Sequence, residues 1–216
     1  PTFDPNDRKS MKPNAWRNRI AEDTFEPGST IKPLVVAGAL DRGIIAPDTR
    51  FDCEKGLWFY GGKRLKDSHP MGNLTVSEII QHSSNIGTAK IALVMGEKTL
   101  DEVLRSFGLG ARTGIPLKPE TVGIFRPRKQ WDTLSITRFP IGQGLAVSPL
   151  QLVRSYCILA NGGHPVKLRL VDRIENPATG IEQKIPLEKP DSIFKNPSTH
   201  GKIVDMMKKV TGEGGT

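Results

Sequence analysis

The sequence predicts a mixed α/β fold of the α+β type, in which helices dominate and strands form only short antiparallel hairpins. Thr75 and Thr99 are each followed three residues later by glutamate, and Ser148 is followed by proline, so all three resemble helix starts. Residues 51–71 and 167–185 combine apolar residues with turn-forming glycine or asparagine, a pattern typical of short strands. With 216 residues, 37% of them hydrophobic, the chain can form the core of one sizeable domain.

The helices are predicted from apolar residues at helical spacing and from the signals at their ends. Pro27 precedes the first helix, and capping boxes at Thr75 and Thr99 open the second and third. Ser148 and the proline after it open the fourth helix, and a glycine-rich segment follows the fifth. The predicted helices are 28–41, 75–95 with an interruption at 83–85, 99–107, 148–161 and 199–210.

The remaining segments are predicted to be turns and strands. Residues 1–13 are polar and rich in Pro and Asn, which indicates irregular chain. The aromatic and glycine residues of 51–71 suggest a small surface lobe of strands and turns. Residues 167–175 alternate in polarity and 176–180 are turn-like, so a hairpin with 181–185 is expected.

Composition excludes several function classes. The net charge of +8 suits a polyanionic partner, but the basic residues are scattered and lack interleaved aromatics, so we predict no nucleic-acid binding. Cys53 and Cys157 have no further ligands at zinc-site spacing, and the four histidines are isolated. The apolar run 34–40 is too short to cross a bilayer, so any membrane anchor is expected outside this chain.

Ser29 and Lys32 are the first candidates for catalytic chemistry. At a helix start, a spacing of three residues places the hydroxyl and the amine on one face, where a neutral lysine can accept the serine proton. The spacing alone also fits a capping serine followed by a surface lysine. The surrounding sequence decides between the two.

That context resembles a known family. Residues 26–33, EPGSTIKP, resemble the start of the active-site helix of class B penicillin-binding proteins, and 17–19 with 24–25 resemble the division-specific branch. Ser-x-x-Lys is one of the serine signatures of penicillin-recognising enzymes, and Ser83-Ser84-Asn85 is similar to the second, Ser-x-Asn. Further similar segments follow in the family's order: 107–110, 113–115, 141–144, 148–152 and 160–163.

The resemblance implies a transpeptidase domain with the serine β-lactamase-like fold. That fold has a five-stranded antiparallel sheet between helices, and here a helical lobe carrying Ser-x-Asn is expected at about 72–147. The third family motif, Lys-Thr-Gly, is not found, and the similar Val210-Thr211-Gly212 lacks the lysine. We therefore expect an internal fragment that contains mainly the helical part of the fold with an incomplete sheet, and that is impaired in activity.

The resemblance also implies roles and partners. Ser29 is expected to be the acylated nucleophile, Lys32 its base, Ser83 a proton relay and Asn85 a donor to the substrate's side-chain amide. The expected substrates are peptidoglycan stem peptides, with β-lactam antibiotics as inhibitors and other cell-division proteins as partners; no metal or organic cofactor is implied. The expected location is the outer face of the bacterial cytoplasmic membrane, through an N-terminal anchor outside this chain.

Several alternatives stay open. A serine β-lactamase or D,D-carboxypeptidase would pass the acyl group to water. A class A β-lactamase would use a glutamate followed three residues on by asparagine, whereas Glu120 is followed by Gly123, so hydrolysis is disfavoured. A β-lactam sensor or a non-catalytic division scaffold would keep the fold without the transfer. Gln143 and Gly144 could line the site or could simply form a tight turn.

Overall fold

A computed structural model describes residues 4, 6–7, 9, 12–188 and 190–216. The predicted irregular segment 1–13 lies largely outside these residues. The helices are α1 (Arg19–Glu22), α2 (Lys32–Asp41), α3 (Val76–Gln81), α4 (Asn85–Ser106), α5 (Ser135–Arg138), α6 (Pro149–Ala160) and α7 (Thr199–Val210). The strands are β1 (Arg50–Asp52), β2 (Leu57–Tyr60), β3 (Lys63–Lys66), β4 (Asn73–Thr75), β5 (Arg173–Glu175) and β6 (Glu182–Lys184).

The core is built around α2, every residue of which is buried. A helix that is apolar on all sides must be covered on all sides, and α2 packs against α4 and α7. The approach to α4 is close, because a Cβ atom at Gly38 would lie 2.4 Å from a methyl carbon of Val103. The helix that begins at Lys32 is thus held on several faces by the rest of the fold.

The strands form three separate two-stranded antiparallel sheets within the described residues: β1 with β4, β2 with β3, and β5 with β6. The predicted hairpin near residues 167–185 is confirmed, with Arg173 opposite Lys184. The predicted strands and turns of 51–71 are confirmed as well, since β2 and β3 are joined by a turn through two glycines with positive φ. The described part of the chain is therefore mainly helical with small hairpins, as expected.

Two of the three helix starts predicted from capping signals are confirmed. Thr75 and Ser148 both form full capping boxes, with Glu78 and Gln151 as their partners. The predicted helix start at Thr99 is wrong, because the helical segment that contains this residue begins directly after Gly96. Gly96 has a φ of 77°, which breaks the helix earlier than the threonine signal suggested. Thr99 therefore lies inside a helical turn of α4.

The last helix, α7, has the predicted bounds and is tied to α2 by Asp41. The Oδ1 atom of this buried carboxylate accepts hydrogen bonds from the amides of Lys195 and Asn196 and from the hydroxyl of Thr199. Asp41 thus serves as the acceptor for the segment where α7 begins. Among the described residues, none of the helices combines the length and apolar character needed to cross a bilayer.

Candidate active site

Ser29 and Lys32 lie at the junction of two helical segments. Gly28–Ile31 forms a 3₁₀ turn that continues into α2, and the amide of Lys32 donates to the carbonyl of Ser29. The side chain of Ser29 is exposed, whereas Lys32 is only 2% exposed. Both residues line one cavity of about 280 Å³. The start of this helix therefore carries an exposed hydroxyl and a buried amine on the wall of one cavity.

The amine of Lys32 contacts Ser83, which lies 51 positions further along the chain. Its Nζ donates to the Oγ of Ser83 at 2.9 Å and to the carbonyl oxygen of the same residue. Burial lowers the pKa of Lys32 from 10.5 to about 8, although the negative charge of Asp67 acts to raise it. A lysine with this pKa exists in part as the neutral amine near neutral pH, as a general base requires.

Ser83 occupies a strained turn between α3 and α4. Its amide donates to the carbonyl of Ile80 and that of Ser84 donates to Ile79, which is the hydrogen-bond pattern of a Schellman helix end. Ser83 takes the left-handed position of this motif, with a φ of 53°, where glycine is usual. Such a residue costs of the order of 1–3 kcal/mol, and strain of this size is found at functional sites. The turn directs both oxygen atoms of Ser83 to Lys32.

Asn85 begins α4 and has other partners. Its Nδ2 donates to the carbonyl of Lys66 at 2.7 Å, at the end of β3. The residue before it, Ser84, caps α4 by accepting from the amide of Gly87. The structure therefore brings Ser29, Lys32 and Ser83 around one cavity. Asn85 is the first residue of α4 after the capping Ser84, and its side chain contacts the β2–β3 hairpin.

A loop after α5 supports the turn that carries Ser29 from outside. The amide of Gly28 donates to the carbonyl of Gly142, and a Cβ atom at Gly142 would lie 2.1 Å from the carbonyl oxygen of Gly28. The carboxylate of Glu26 accepts from the amide of Gly144 at 2.8 Å. The contact between Gly142 and Gly28 brings two backbone segments so close that the Gly142 position needs glycine. Gly144 has a φ of 75° and therefore lies in a turn that favours glycine.

Two residues at the site have no signal in the sequence. Tyr156 of α6 lines the cavity and donates from its hydroxyl to the carbonyl of Thr30 at 2.9 Å; burial raises its pKa. Asp67 follows β3 and binds the start of α4. Each is a single polar residue without a motif, and only its position in the fold reveals it. The end of α7, including Val210 and Thr211, closes another side of the cavity.

The fold and the site define a class of protein. A serine and a lysine three residues apart at the start of a buried helix, with the lysine bonded to the first serine of a Ser-x-Asn segment, match two signatures of serine penicillin-recognising domains. Residues 1–216 match the family described as the penicillin binding protein transpeptidase domain, and the chain belongs to this family.

Particular relatives are similar along the whole chain. Peptidoglycan D,D-transpeptidase FtsI of Escherichia coli is 33% identical over 217 residues, which cover 100% of this chain and 34% of that protein. Probable peptidoglycan D,D-transpeptidase PenA of Neisseria flavescens is 31% identical over 216 residues, covering 100% of this chain and 50% of that protein. The chain thus spans about a third to a half of the length of these curated relatives.

Solved structures show the same fold. A peptidoglycan glycosyltransferase from Burkholderia ambifaria superposes with a TM-score of 0.82 and 32% identity, covering 93% of this chain and 60% of that one. Penicillin binding protein 3 of Mycobacterium tuberculosis, complexed with aztreonam, superposes with a TM-score of 0.79 and 29% identity, covering 92% of this chain and 45% of that one. The fold class predicted from the sequence is confirmed.

Proposed function

We propose that this protein is a peptidoglycan D,D-transpeptidase that cross-links stem peptides in septal cell-wall synthesis through a serine acyl-enzyme, and that penicillins acylate it. The observation that carries the proposal is the buried amine of Lys32, which shares a cavity with the exposed Ser29 and is bonded to Ser83. The similarity to D,D-transpeptidases of the FtsI and PenA types supports it.

The proposed reaction begins with proton transfer. Neutral Lys32 takes the proton from Ser29 as the serine Oγ attacks the carbonyl between the two D-alanine residues of a stem peptide. Amide donors in the first turn of a helix lack helical partners and can stabilise the developing oxyanion. Ser83, bonded to Lys32, passes the proton to the amine of the leaving D-alanine. Ser29 is left as an ester of the shortened peptide.

The second half runs in reverse with a new amine. The amine of a neighbouring stem peptide attacks the ester and its proton passes through Ser83 to Lys32. Lys32 then returns a proton to the Ser29 oxygen as the ester bond breaks and the cross-link forms. The proposed role of Asn85 is to hold the substrate's side-chain amide near this path. Anchoring at the outer face of the cytoplasmic membrane and association with other division proteins belong to this proposal by similarity to FtsI.

The test is covalent labelling of the full-length gene product with a fluorescent penicillin, read by intact mass. Wild type should gain one adduct and Ser29→Ala should gain none, whereas Ser68→Ala, which alters another exposed serine, should label as wild type does. An undiminished adduct in Ser29→Ala would contradict the assignment of the nucleophile.

A second measurement separates the alternatives. Wild type should join a D-Ala-D-Ala stem peptide to an acceptor amine with release of D-alanine. Release of D-alanine or of opened penicillin without a joined product would indicate a carboxypeptidase or β-lactamase. Stable labelling without either turnover would indicate a β-lactam sensor, and the absence of labelling would favour a non-catalytic scaffold.

A further inference from the structure

We propose that Asp67 is a positioning residue of this site with two effects: its carboxylate fixes the start of α4 and so holds Ser83 on Lys32, and its negative charge acts on the Lys32 amine. The inference rests on the proposed function. Asp67 lies directly after β3, is half-buried, and is neither part of a family motif quoted above nor in contact with the cavity of Ser29. Its first effect therefore passes through the residues that it binds.

The contacts of Asp67 converge on the second motif. One carboxylate oxygen, Oδ1, accepts from the amides of Asn85 at 2.5 Å and Ile86 at 3.1 Å, and Oδ2 accepts from the hydroxyl of Ser84 at 2.8 Å. These two amides belong to the first turn of α4, where donors have no helical partner and a negative charge is favourable. Asp67 thus binds all three residues that follow Ser83.

The backbone of Asp67 is itself fixed. Its amide donates to the carbonyl of Gly56, which lies in a tight turn where a Cβ atom would be only 2.8 Å from the carbonyl oxygen of His69. The carboxylate is therefore presented from a rigid strand end. Because the peptide between Ser83 and Ser84 links the strained turn to the capped helix, anchoring Ser84 restricts where the Ser83 carbonyl and hydroxyl can point.

Asp67 also acts on Lys32 through its charge, which opposes the effect of burial on the pKa of that lysine. The other charged side chains around the Asp67 contacts are Asp52 of β1 and Lys90 of α4, both of which act on the neighbouring Cys53. Lys90 is paired with the carboxylate of Glu54 at 2.6 Å. Among these charges, Asp67 is the one whose field acts on the proposed base.

The isosteric variant Asp67→Asn separates this role from simple helix capping. Its Oδ1 can still accept from the two α4 amides, and its amide group can donate to the hydroxyl of Ser84, so the turn is kept while the charge is lost. Removing an opposite charge lowers the pKa of Lys32 further. The matched control is Asp52→Asn, the same chemical change at an exposed carboxylate of β1.

The experiment measures the second-order rate of penicillin labelling at Ser29 against pH in the full-length gene product. In Asp67→Asn we expect the midpoint of the acid limb to move to lower pH by roughly one unit, with Asp52→Asn unchanged. In Asp67→Ala, which also loses the hydrogen bonds, we expect the high-pH plateau to fall about tenfold or more. A residue that merely capped α4 would lower the rate without moving the midpoint.

The outcomes are distinct. If wild type labels at Ser29 and Asp67→Asn keeps the wild-type midpoint, the role of Asp67 is refuted while the proposed function stands. If wild type carries no label at Ser29, the proposed function fails and the inference fails with it. Should Asp67→Ala not fold, the comparison of Asp67→Asn with Asp52→Asn still decides.

Discussion

The pH dependence of acylation is a direct test of Lys32 as the base. Its pKa of about 8 means that about 9% of the molecules carry the neutral amine at pH 7, against about 0.03% for a lysine with the ordinary value of 10.5. Burial therefore increases the reactive form roughly 300-fold at that pH. Because only the neutral amine accepts a proton, the labelling rate should rise with pH until the lysine is deprotonated.

The expected profile follows from this titration. Below pH 8 the second-order rate of penicillin labelling should fall about tenfold per pH unit, and above it the rate should level off. The assay is stopped-flow or quenched labelling between pH 5.5 and 9.5, with the intact fold checked at each pH by circular dichroism. Lys32→Arg supplies the control, since a guanidinium is not deprotonated in this range and should give no labelling at any pH.

A flat profile between pH 6 and 9 would refute the assignment of Lys32 as the base. So would appreciable labelling of Lys32→Arg, because that variant keeps the charge and the hydrogen-bond donors while losing the ability to accept a proton. A rate that still rises about tenfold per pH unit up to pH 9.5 would refute a narrower point, namely that burial outweighs the charge of Asp67.

Further predictions concern the frame of the site. Gly142→Ala should slow labelling by about tenfold or more, because its Cβ atom would collide with Gly28; Gly43→Ala, at a similar positive φ but in open space, should label like wild type. Asp41→Ala should lower the free energy of unfolding by about 2–4 kcal/mol in urea titrations, because it removes the acceptor of three donors at the start of α7; a change under about 0.5 kcal/mol would contradict this. Asn85→Ala should retain penicillin labelling within about tenfold but lose more in cross-linking of stem peptides; equal losses in both assays would remove its proposed role in binding.

Much of the local structure could be predicted from the sequence. The capping boxes at Thr75 and Ser148 and the glycine at 108 act over no more than four residues, so the signals and the structures they produce lie together in the chain. The same holds for Ser29 and Lys32, whose spacing on one helical turn is a local property. The family resemblance rested on these short segments and is confirmed.

The wrong helix start at Thr99 shows that a local capping pattern does not always predict where a helix begins. Thr99 and Glu102 do have the sequence pattern of a capping box, but Gly96, three residues earlier, already permits a break in the helix. The helix after this break carries Leu100, Val103 and Leu104, which are fully buried in the core. Because the break is at Gly96, residues 97–99 are also part of the helix, and Thr99 lies inside it instead of preceding it. One cap is worth only about 1 kcal/mol, so the signal at Thr99 does not fix a helix start when a glycine three residues earlier permits the break.

The sequence by itself determined most of the helices, the hairpins and the candidates for nucleophile and base, because each depends on neighbours along the chain. Only the tertiary structure decided the environment of the base. Lys32 acquires its lowered pKa because α4 and α7 cover α2, and its partner Ser83 comes from 51 residues away. In the same way, packing that no spacing in the sequence encodes brings Tyr156 to the cavity and Asp67 to the start of α4. Contacts between distant segments arise from the burial of whole helical faces. These contacts give the residues that the sequence identified their burial, their hydrogen-bond partners and the lowered pKa of Lys32.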